Sequence, residues 1–319
     1  MLDVYWLLHR VLARVISLGQ SKLEFIAATT CGKAYKSSKR PLITLYRCFL
    51  LFLSLILKID YKFRVYAKFS NFIYTYKPYK KRGLGGRGQF ILRDLYEPFL
   101  NFGHNIFNKK FYFIDIGCSR GFFSMYLLNL KNLKAEGICI DPLKEALEDF
   151  KKILEYNKIK RAKILNGIVS DKKNSLREIF RVNDFHGYYS IIKNLSFADK
   201  KINEKFKINT FTLDQLIFQK YKFKKLDFIK IDTEGAEYEI LTKSIKTIKK
   251  FKPIIYCEVT RNKNKIFNLL SKHGYKFFTI SGEKKIKLNS KNFNGNILAL
   301  NKKRRRGGRV VEGARLESV

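Results

Sequence analysis

The chain has 319 residues, enough for one large α/β domain with a smaller appendage, and a formal net charge of +38. Its five cysteines, Cys31, Cys48, Cys118, Cys139 and Cys257, form no CxxC or Cys/His cluster, which argues against a disulfide framework or a structural zinc site and fits a reducing, cytoplasmic setting. The charge favours anionic membranes, nucleic acid or acidic glycans, yet Lys, Asn, Ile, Phe and Tyr abound throughout, a bias that AT-rich codons produce by themselves.

Residues 1–84 read as a basic, apolar extension that is expected to be helical. Val4, Leu7, Leu8, Val11, Val15 and Leu18 share one face of an amphipathic helix, and Asp3 with no cleavage-like site argues against a signal peptide. In the apolar run Leu42 to Leu57, the uninterrupted part after Arg47 is shorter than the roughly 20 residues that a spanning helix needs. It reads as a helix packed on the main domain, as an interfacial helix on an anionic membrane or, least favoured, as a true span. Apolar residues alternate from Lys58 to Phe69 with the period of a strand. Arg82 to Gly88, RGLGGRG, reads as a linker, which sets the main domain at 85–301. The stretch Arg304 to Val319 lacks Lys, Asn, Ile, Phe and Tyr, so 302–319 is expected to be a disordered basic tail.

In the main domain a helix is expected from Phe90 to Phe102. Phe111 to Ile114 is an apolar run, a strand buried on both faces. It runs into Asp115, Gly117 and Gly121, and helical spacing follows from Phe122 to Leu130. Glycines let a backbone come close to a ligand, and a helix start offers unpaired N–H groups to an anion. The second strand, Ala135 to Ile140, ends in Asp141, about twenty residues on, where an acidic residue meets ribose hydroxyls in a nucleoside-binding βαβ unit. A helix from Pro142 to Asn157 and a strand from Lys163 to Val169 follow, closed by Ser170 and Asp171. Lys172 to Lys207 reads as irregular and contains His186. A short strand (Ile208 to Thr212) and a short helix (Leu213 to Gln219) lead to the core strand Leu226 to Ile231, which ends in Asp232-Thr233-Glu234-Gly235-Ala236-Glu237. A helix bearing Ile240, Leu241, Ile245 and Ile248 precedes a strand from Pro253 to Val259 with Glu258 near its end. The helix Lys263 to His273 stops at Gly274, and strands Tyr275 to Ile280 and Asn296 to Asn301 flank a polar loop. Such alternation predicts a mostly parallel sheet, with ligands beyond the carboxyl ends of its strands. Gly117, Asp141, Asp171, Asp232 and Glu258 all fall at such ends.

In order, FIDIGCSRGFFS, ICIDPLKEALEDFKKILEYNK, GIVSD, INTFTLDQLI and LDFIKIDTEGAEYEIL resemble the FkbM family of S-adenosylmethionine-dependent methyltransferases, over roughly Gln89 to Leu300. IKIDTEGAE is the most specific piece. The resemblance implies a class I methyltransferase (Rossmann-like) fold, a mostly parallel seven-stranded sheet whose last pairing is antiparallel. It also implies O-methylation of a sugar, glycan or similar hydroxylated metabolite. The cofactor S-adenosylmethionine is then expected at Asp115, Gly117, Cys118 and Gly121 with its methionyl end, at Asp141 with its ribose, and at Ser170 and Asp171 with its adenine edge. Cys118-Ser119 stands where the family usually has Ala-Asn, so contacts there are expected from the backbone.

Methyl transfer is an in-line displacement that needs the acceptor oxygen aligned and its proton removed. Asp232 is the first candidate base, with Glu234, Glu258 and His186 as further candidates. Glu234 and Glu237 also suit the dipole of the helix that follows them. No metal is expected, although Asp232 and Glu258 could flank a hard divalent ion. Nucleic acid is the less favoured acceptor, because the chain has no Pro-Pro dipeptide and so lacks the (Asp/Asn)-Pro-Pro-(Tyr/Phe) motif of amino-methylating enzymes. A non-catalytic Rossmann-like protein bound to a membrane surface is the third reading, and Asp115, Asp141 and Asp232 argue against it. The expected location is cytoplasmic, with peripheral membrane contact open.

Overall fold

The computed structural model describes residues 61–66, 70–76, 99, 106–172, 174–182, 189–190, 202–233, 235–281, 284–303, 305–306 and 309–310. The chain divides into two compact units, one of Met1–Phe63, Tyr74–Glu97 and Asp184–Gly187, the other of Arg64–Ile73, Pro98–Asn183 and Tyr188–Val319. The expected amphipathic helix, the apolar run, the glycine linker and nearly all of the Phe90 to Phe102 helix lie outside the described residues. Among the described residues no helix is long and apolar enough to cross a membrane.

The alternating stretch does form a strand, β1 (Tyr61–Tyr66), which makes a two-stranded sheet with β2 (Asn71–Tyr76). The main sheet starts with β3 (Lys110–Ile116), followed by α1 (Phe122–Leu128), β4 (Lys134–Asp141), α2 (Lys144–Tyr156) and β5 (Ala162–Asn166). The single strand expected from Lys163 to Val169 is two. The chain breaks at Gly167, where a Cβ would lie 2.7 Å from the Phe211 ring, and β6 (Ile168–Val169) joins a different sheet.

That second sheet occupies the segment expected to be irregular. It contains β7 (Leu176–Val182), β8 (Tyr189–Ser190) and β9 (Ile202–Phe211), in the order β6-β9-β7-β8. Ile168, Ile179 and Ile208, with Phe206, form its own small core. Next come α3 (Leu213–Gln215), continued by a π-helical turn over Leu216–Lys220, and β10 (Phe228–Ile231). The helix expected after Glu237 is also two, α4 (Glu237–Thr242) and α5 (Ile245–Phe251). Asp214 decides the break: its carboxylate accepts the N–H groups of Lys246 and Thr247 and the Thr247 hydroxyl, at 3.1, 2.9 and 2.6 Å.

The rest comprises β11 (Ile254–Val259), α6 (Lys263–Lys272), β12 (Tyr275–Ser281), β13 (Lys284–Leu288) and β14 (Gly295–Asn301). In the tail expected to be disordered, β15 (Arg305–Arg306) pairs antiparallel with β16 (Arg309–Val310).

The main sheet runs β13-β12-β14-β11-β10-β3-β4-β5. β14 is antiparallel to both its neighbours, and β13 is antiparallel to β12. The pairings among β5, β4, β3, β10 and β11 are parallel. The sheet thus has eight strands rather than the expected seven. The extra one, β13, lies in the stretch expected to be a polar loop; Lys284, Lys285 and Lys287 are exposed along it, and lysines on an edge strand discourage further pairing.

Phe111, Phe113, Phe123, Phe228 and Tyr256 are buried with Phe99 and Phe107 in one aromatic cluster, and Phe123 stacks on both Phe228 and Tyr256. A second cluster holds the alternate residues Ile114, Ile116, Ile229, Ile231, Ile255 and Cys257. Burial on both faces is what the unbroken apolar runs of β3, β10 and β11 required. Each such side chain contributes about 1.5–3 kcal/mol when fully buried. This rigid centre places the carboxyl ends of β4, β3, β10 and β11 side by side.

Candidate active site

Beyond β3 the chain bends at Gly117 (φ 79°) and Ser119 (φ 49°). The Gly117 and Cys118 N–H groups donate to the Ile140 carbonyl at 2.9 and 3.1 Å. A Cβ on Gly117 would stand 1.8 Å from the Asp232 carbonyl oxygen, so both the left-handed conformation and the close approach of the β10 end demand glycine. The Ser119 N–H donates to Asp141 Oδ2 at 2.7 Å, and the Leu143 N–H to Oδ1 at 2.9 Å. Asp141 therefore ties the bend after β3 to the tip of β4. Each of its oxygens keeps a further acceptor position. Burial pushes its carboxyl up to about 6, against the pull of those two N–H donors.

Gly121 departs from expectation. Its φ is 73°, but a Cβ there would fall 2.2 Å from the Phe150 ring. It lets α1 pack closely on α2. The Cys118 thiol is buried, and burial pushes its pKa well up, so it stays protonated.

The register of the central strands builds a second group. Asp115 pairs in register with Cys139 on β4 and with Lys230 on β10, so all three side chains emerge on one face, over α1. Asp115 is fully buried and accepts from Ser124 Oγ at 2.6 Å, and Ser124 in turn accepts from Cys139 Sγ at 3.2 Å. The other Asp115 oxygen has no hydrogen-bond partner among the described residues and lies 3.6 Å from Lys230 Nζ. Lys230 donates to Asp232 Oδ2 at 3.0 Å, and its ammonium is 5.5 Å from the Phe123 ring centre. Asp232, two residues beyond Lys230, stands opposite Glu258 at the end of β11, because Ile231 pairs in register with Cys257. Burial raises the Asp232 carboxyl, but the Lys230 charge and the hydrogen bonds from Glu258 and Lys230 outweigh it and hold it below the usual range. Burial raises Asp115, with Lys230 and Ser124 opposing. The Asp232 side chain is 37% exposed while that of Lys230 is 7% exposed, so the carboxylate faces solvent and the ammonium lies behind it.

The remaining candidates sit elsewhere. Glu237 is buried and accepts from the Gly235 N–H (2.9 Å) and the Thr233 hydroxyl (3.1 Å), which fixes the loop after β10. Ser170 is buried, with its hydroxyl bonded to the Lys172 backbone at 3.2 Å, and Asp171 is paired with Arg177, which also binds Glu239 at 2.8 Å. Asn166, at the end of β5, donates its amide to the Asp141 and Pro142 carbonyls at 3.1 and 2.8 Å. Glu234 and His186 lie outside the described residues. Among the described residues no group of three or more His, Cys, Asp or Glu is gathered to hold a metal.

Gly117, Cys118, Asp141, Asp232 and Glu258 are thus brought to neighbouring strand ends, with Asp115 beneath them. Sequence reasoning missed Lys230 and Ser124. Lys230 did leave a signal, a lone cation inside the apolar run LDFIKI, since a buried strand carries a lysine only where carboxylates meet it.

The strand order, with the bend after β3 and the acidic tip of β4, defines a class I methyltransferase fold. Residues 115–277, just over half of the chain, match the model of the methyltransferase FkbM domain. The chain belongs to this family of methyltransferases, whose methyl donor is S-adenosylmethionine. A search of curated proteins found no match. Among solved structures, methyltransferase FkbM from Methylobacillus flagellatus KT is 14% identical, with a TM-score of 0.40, over 70% of this chain and 53% of its own. The chain therefore spans about half the length of that relative. A putative methyltransferase from Streptococcus mutans in complex with SAH is 12% identical (TM-score 0.36; 61% of this chain, 90% of that one). Aeropyrum pernix fibrillarin with bound S-adenosyl-L-methionine is 7% identical (TM-score 0.36; 66% and 71%).

Proposed function

We propose that the chain transfers the methyl group of S-adenosylmethionine to a hydroxyl of a sugar, glycan or similar hydroxylated small molecule. The observation that carries this is the Asp232–Glu258 carboxyl pair beside the Gly117 bend, a base of the kind a hydroxyl needs. The cradle fits the donor: Gly117 keeps the bend free of a Cβ, and Asp141 retains acceptor capacity for a pair of ribose hydroxyls. When bound, the donor supplies a methyl on a cationic sulfur, a good leaving group. Asp141 orients the ribose, and the methionyl end lies along the bend after β3, whose N–H groups are held by the Ile140 carbonyl and Asp141. Asp232, ionised and solvent-facing, takes the acceptor proton. Glu258 stands opposite Asp232 by strand register and supplies the second carboxyl there.

The test is transfer of labelled methyl from S-adenosylmethionine by the full chain into fractions of glycans, nucleotide sugars, lipid-linked sugars and RNA. Label recovered as an alkali-stable methyl ether on a carbohydrate, reduced at least about a hundredfold in Asp232→Asn with donor binding retained, is the expected result. Label in RNA overturns the acceptor class. Calorimetry that detects no binding of the donor overturns the whole reading.

A further inference from the structure

Lys230 has no part in the chemistry so far. It occupies the middle of a strand that is otherwise apolar, with 6% exposure. A buried ammonium is costly unless carboxylates and hydrogen bonds surround it. Here Asp115 meets it from β3 at 3.6 Å and Asp232 from its own strand at 3.0 Å, while the Phe123 face lies against it from α1. Asp115 cannot swing away, because Ser124 holds its second oxygen at 2.6 Å. The lysine is therefore pinned from behind, and its contact with Asp232 fixes the orientation of that carboxylate. Asp232 also stands opposite Glu258 by strand register, and the fixed cation beside Asp232 favours its ionised form.

We propose that Lys230 is a positioning residue for methyl transfer: backed by Asp115, its ammonium fixes the Asp232 carboxylate toward the acceptor. The inference rests on Asp232 being the base in the reading above. In the step it serves, the acceptor O–H bond breaks and its proton passes to Asp232. The new O–CH3 bond forms as the bond from methyl to sulfur breaks, and that electron pair stays on sulfur, which becomes a neutral thioether. The other titratable groups acting in this region are Asp115 on β3, Asp141 across the bend, Glu258 on β11, and the buried thiols of Cys118 and Cys257.

Carboxyl-carbon NMR on the full chain saturated with S-adenosylhomocysteine tests this without any acceptor. In Lys230→Met the Asp232 titration midpoint should rise by at least about one pH unit, a tenfold gain in proton affinity, with S-adenosylhomocysteine affinity within about threefold of the parent. Lys230→Arg should reverse at least half of that change. An unmoved Asp232 midpoint in a Lys230→Met variant that still binds S-adenosylhomocysteine overturns the proposal. Should the variant fail to fold, side-chain nitrogen NMR of the unaltered protein decides. Lys230 should remain a charged ammonium from about pH 6 to 9, and a neutral amine in that range overturns the proposal equally. Once labelled transfer has identified the acceptor, the acid limb of kcat should move up by the same interval in Lys230→Met with its KM unchanged. Failure to find an acceptor would sink the function reading, while the titrations would still decide the role of Lys230.

Discussion

At the scale of single residues, Asp141 joins structure to binding most directly. Its oxygens anchor Ser119 and Leu143, so the same carboxylate shapes the bend and is the one proposed to meet the ribose. Its pKa stands raised from 3.8 to about 6, chiefly by burial. The sign follows from proton counts. Between about pH 4 and 6 the folded chain keeps a proton that the unfolded chain has released, so this group's contribution to stability falls as pH rises through that window. The full displacement is worth roughly 3 kcal/mol. Asp141→Asn should therefore remove a downward slope in stability across that window, read by urea unfolding at several pH values. Donor binding runs the other way, since ribose hydroxyls donate best to an ionised acceptor. Affinity for S-adenosylhomocysteine should weaken as pH falls through about 6, and in Asp141→Asn it should be at least about tenfold weaker and flat with pH. Calorimetry from pH 5 to 8 checks both, and a flat profile in the unaltered protein would detach Asp141 from the ribose.

At the scale of elements, legibility followed burial. β3, β10 and β11 are apolar on both faces, so their runs stood out against any neighbour. β7 and β9 each interrupt their apolar residues with charges, as LREIFRV and INEKFKINTF, because only one face is covered, and β13 is an edge strand studded with lysine. The split between α4 and α5 was invisible for another reason. It depends on Asp214, about thirty residues upstream, whose carboxylate caps α5. The TLDQL segment that helped mark the family thus contributes architecture: Thr212 caps α3 by accepting from the Gln215 N–H, and Asp214 caps α5. Among site residues, the strand-end carboxylates could be placed by counting, whereas the turn of Gly121 toward Phe150 and the pairing of Asp171 with Arg177 depend on packing from distant segments. Asp214→Ala should cost about 1–2 kcal/mol of stability through the lost cap, with S-adenosylhomocysteine affinity unchanged. Urea unfolding and calorimetry on one preparation check it; lost cofactor affinity at intact stability would contradict the assignment.

At the scale of the whole molecule, the charge balance has to be separated from recognition. The chain carries 65 Lys and Arg against 27 Asp and Glu, and several acids are spent inside the fold: Asp115, Asp141, Asp227 and Glu237 are buried. The surface is therefore more basic than the composition suggests, and it will attract any polyanion. Such attraction works through release of counterions, so it falls steeply with salt whatever the sequence bound. Binding to a random RNA oligomer should weaken at least about a thousandfold between 50 and 200 mM salt, as for a protein making several phosphate contacts. The proposed cofactor cradle is built from buried, short hydrogen bonds that salt screens little, so S-adenosylhomocysteine affinity should change less than about threefold over the same range. Filter binding and calorimetry in matched buffers read the two slopes. RNA binding that survives 200 mM salt would mean contacts made by shape and base edges, and a nucleic-acid acceptor would then displace the carbohydrate hydroxyl.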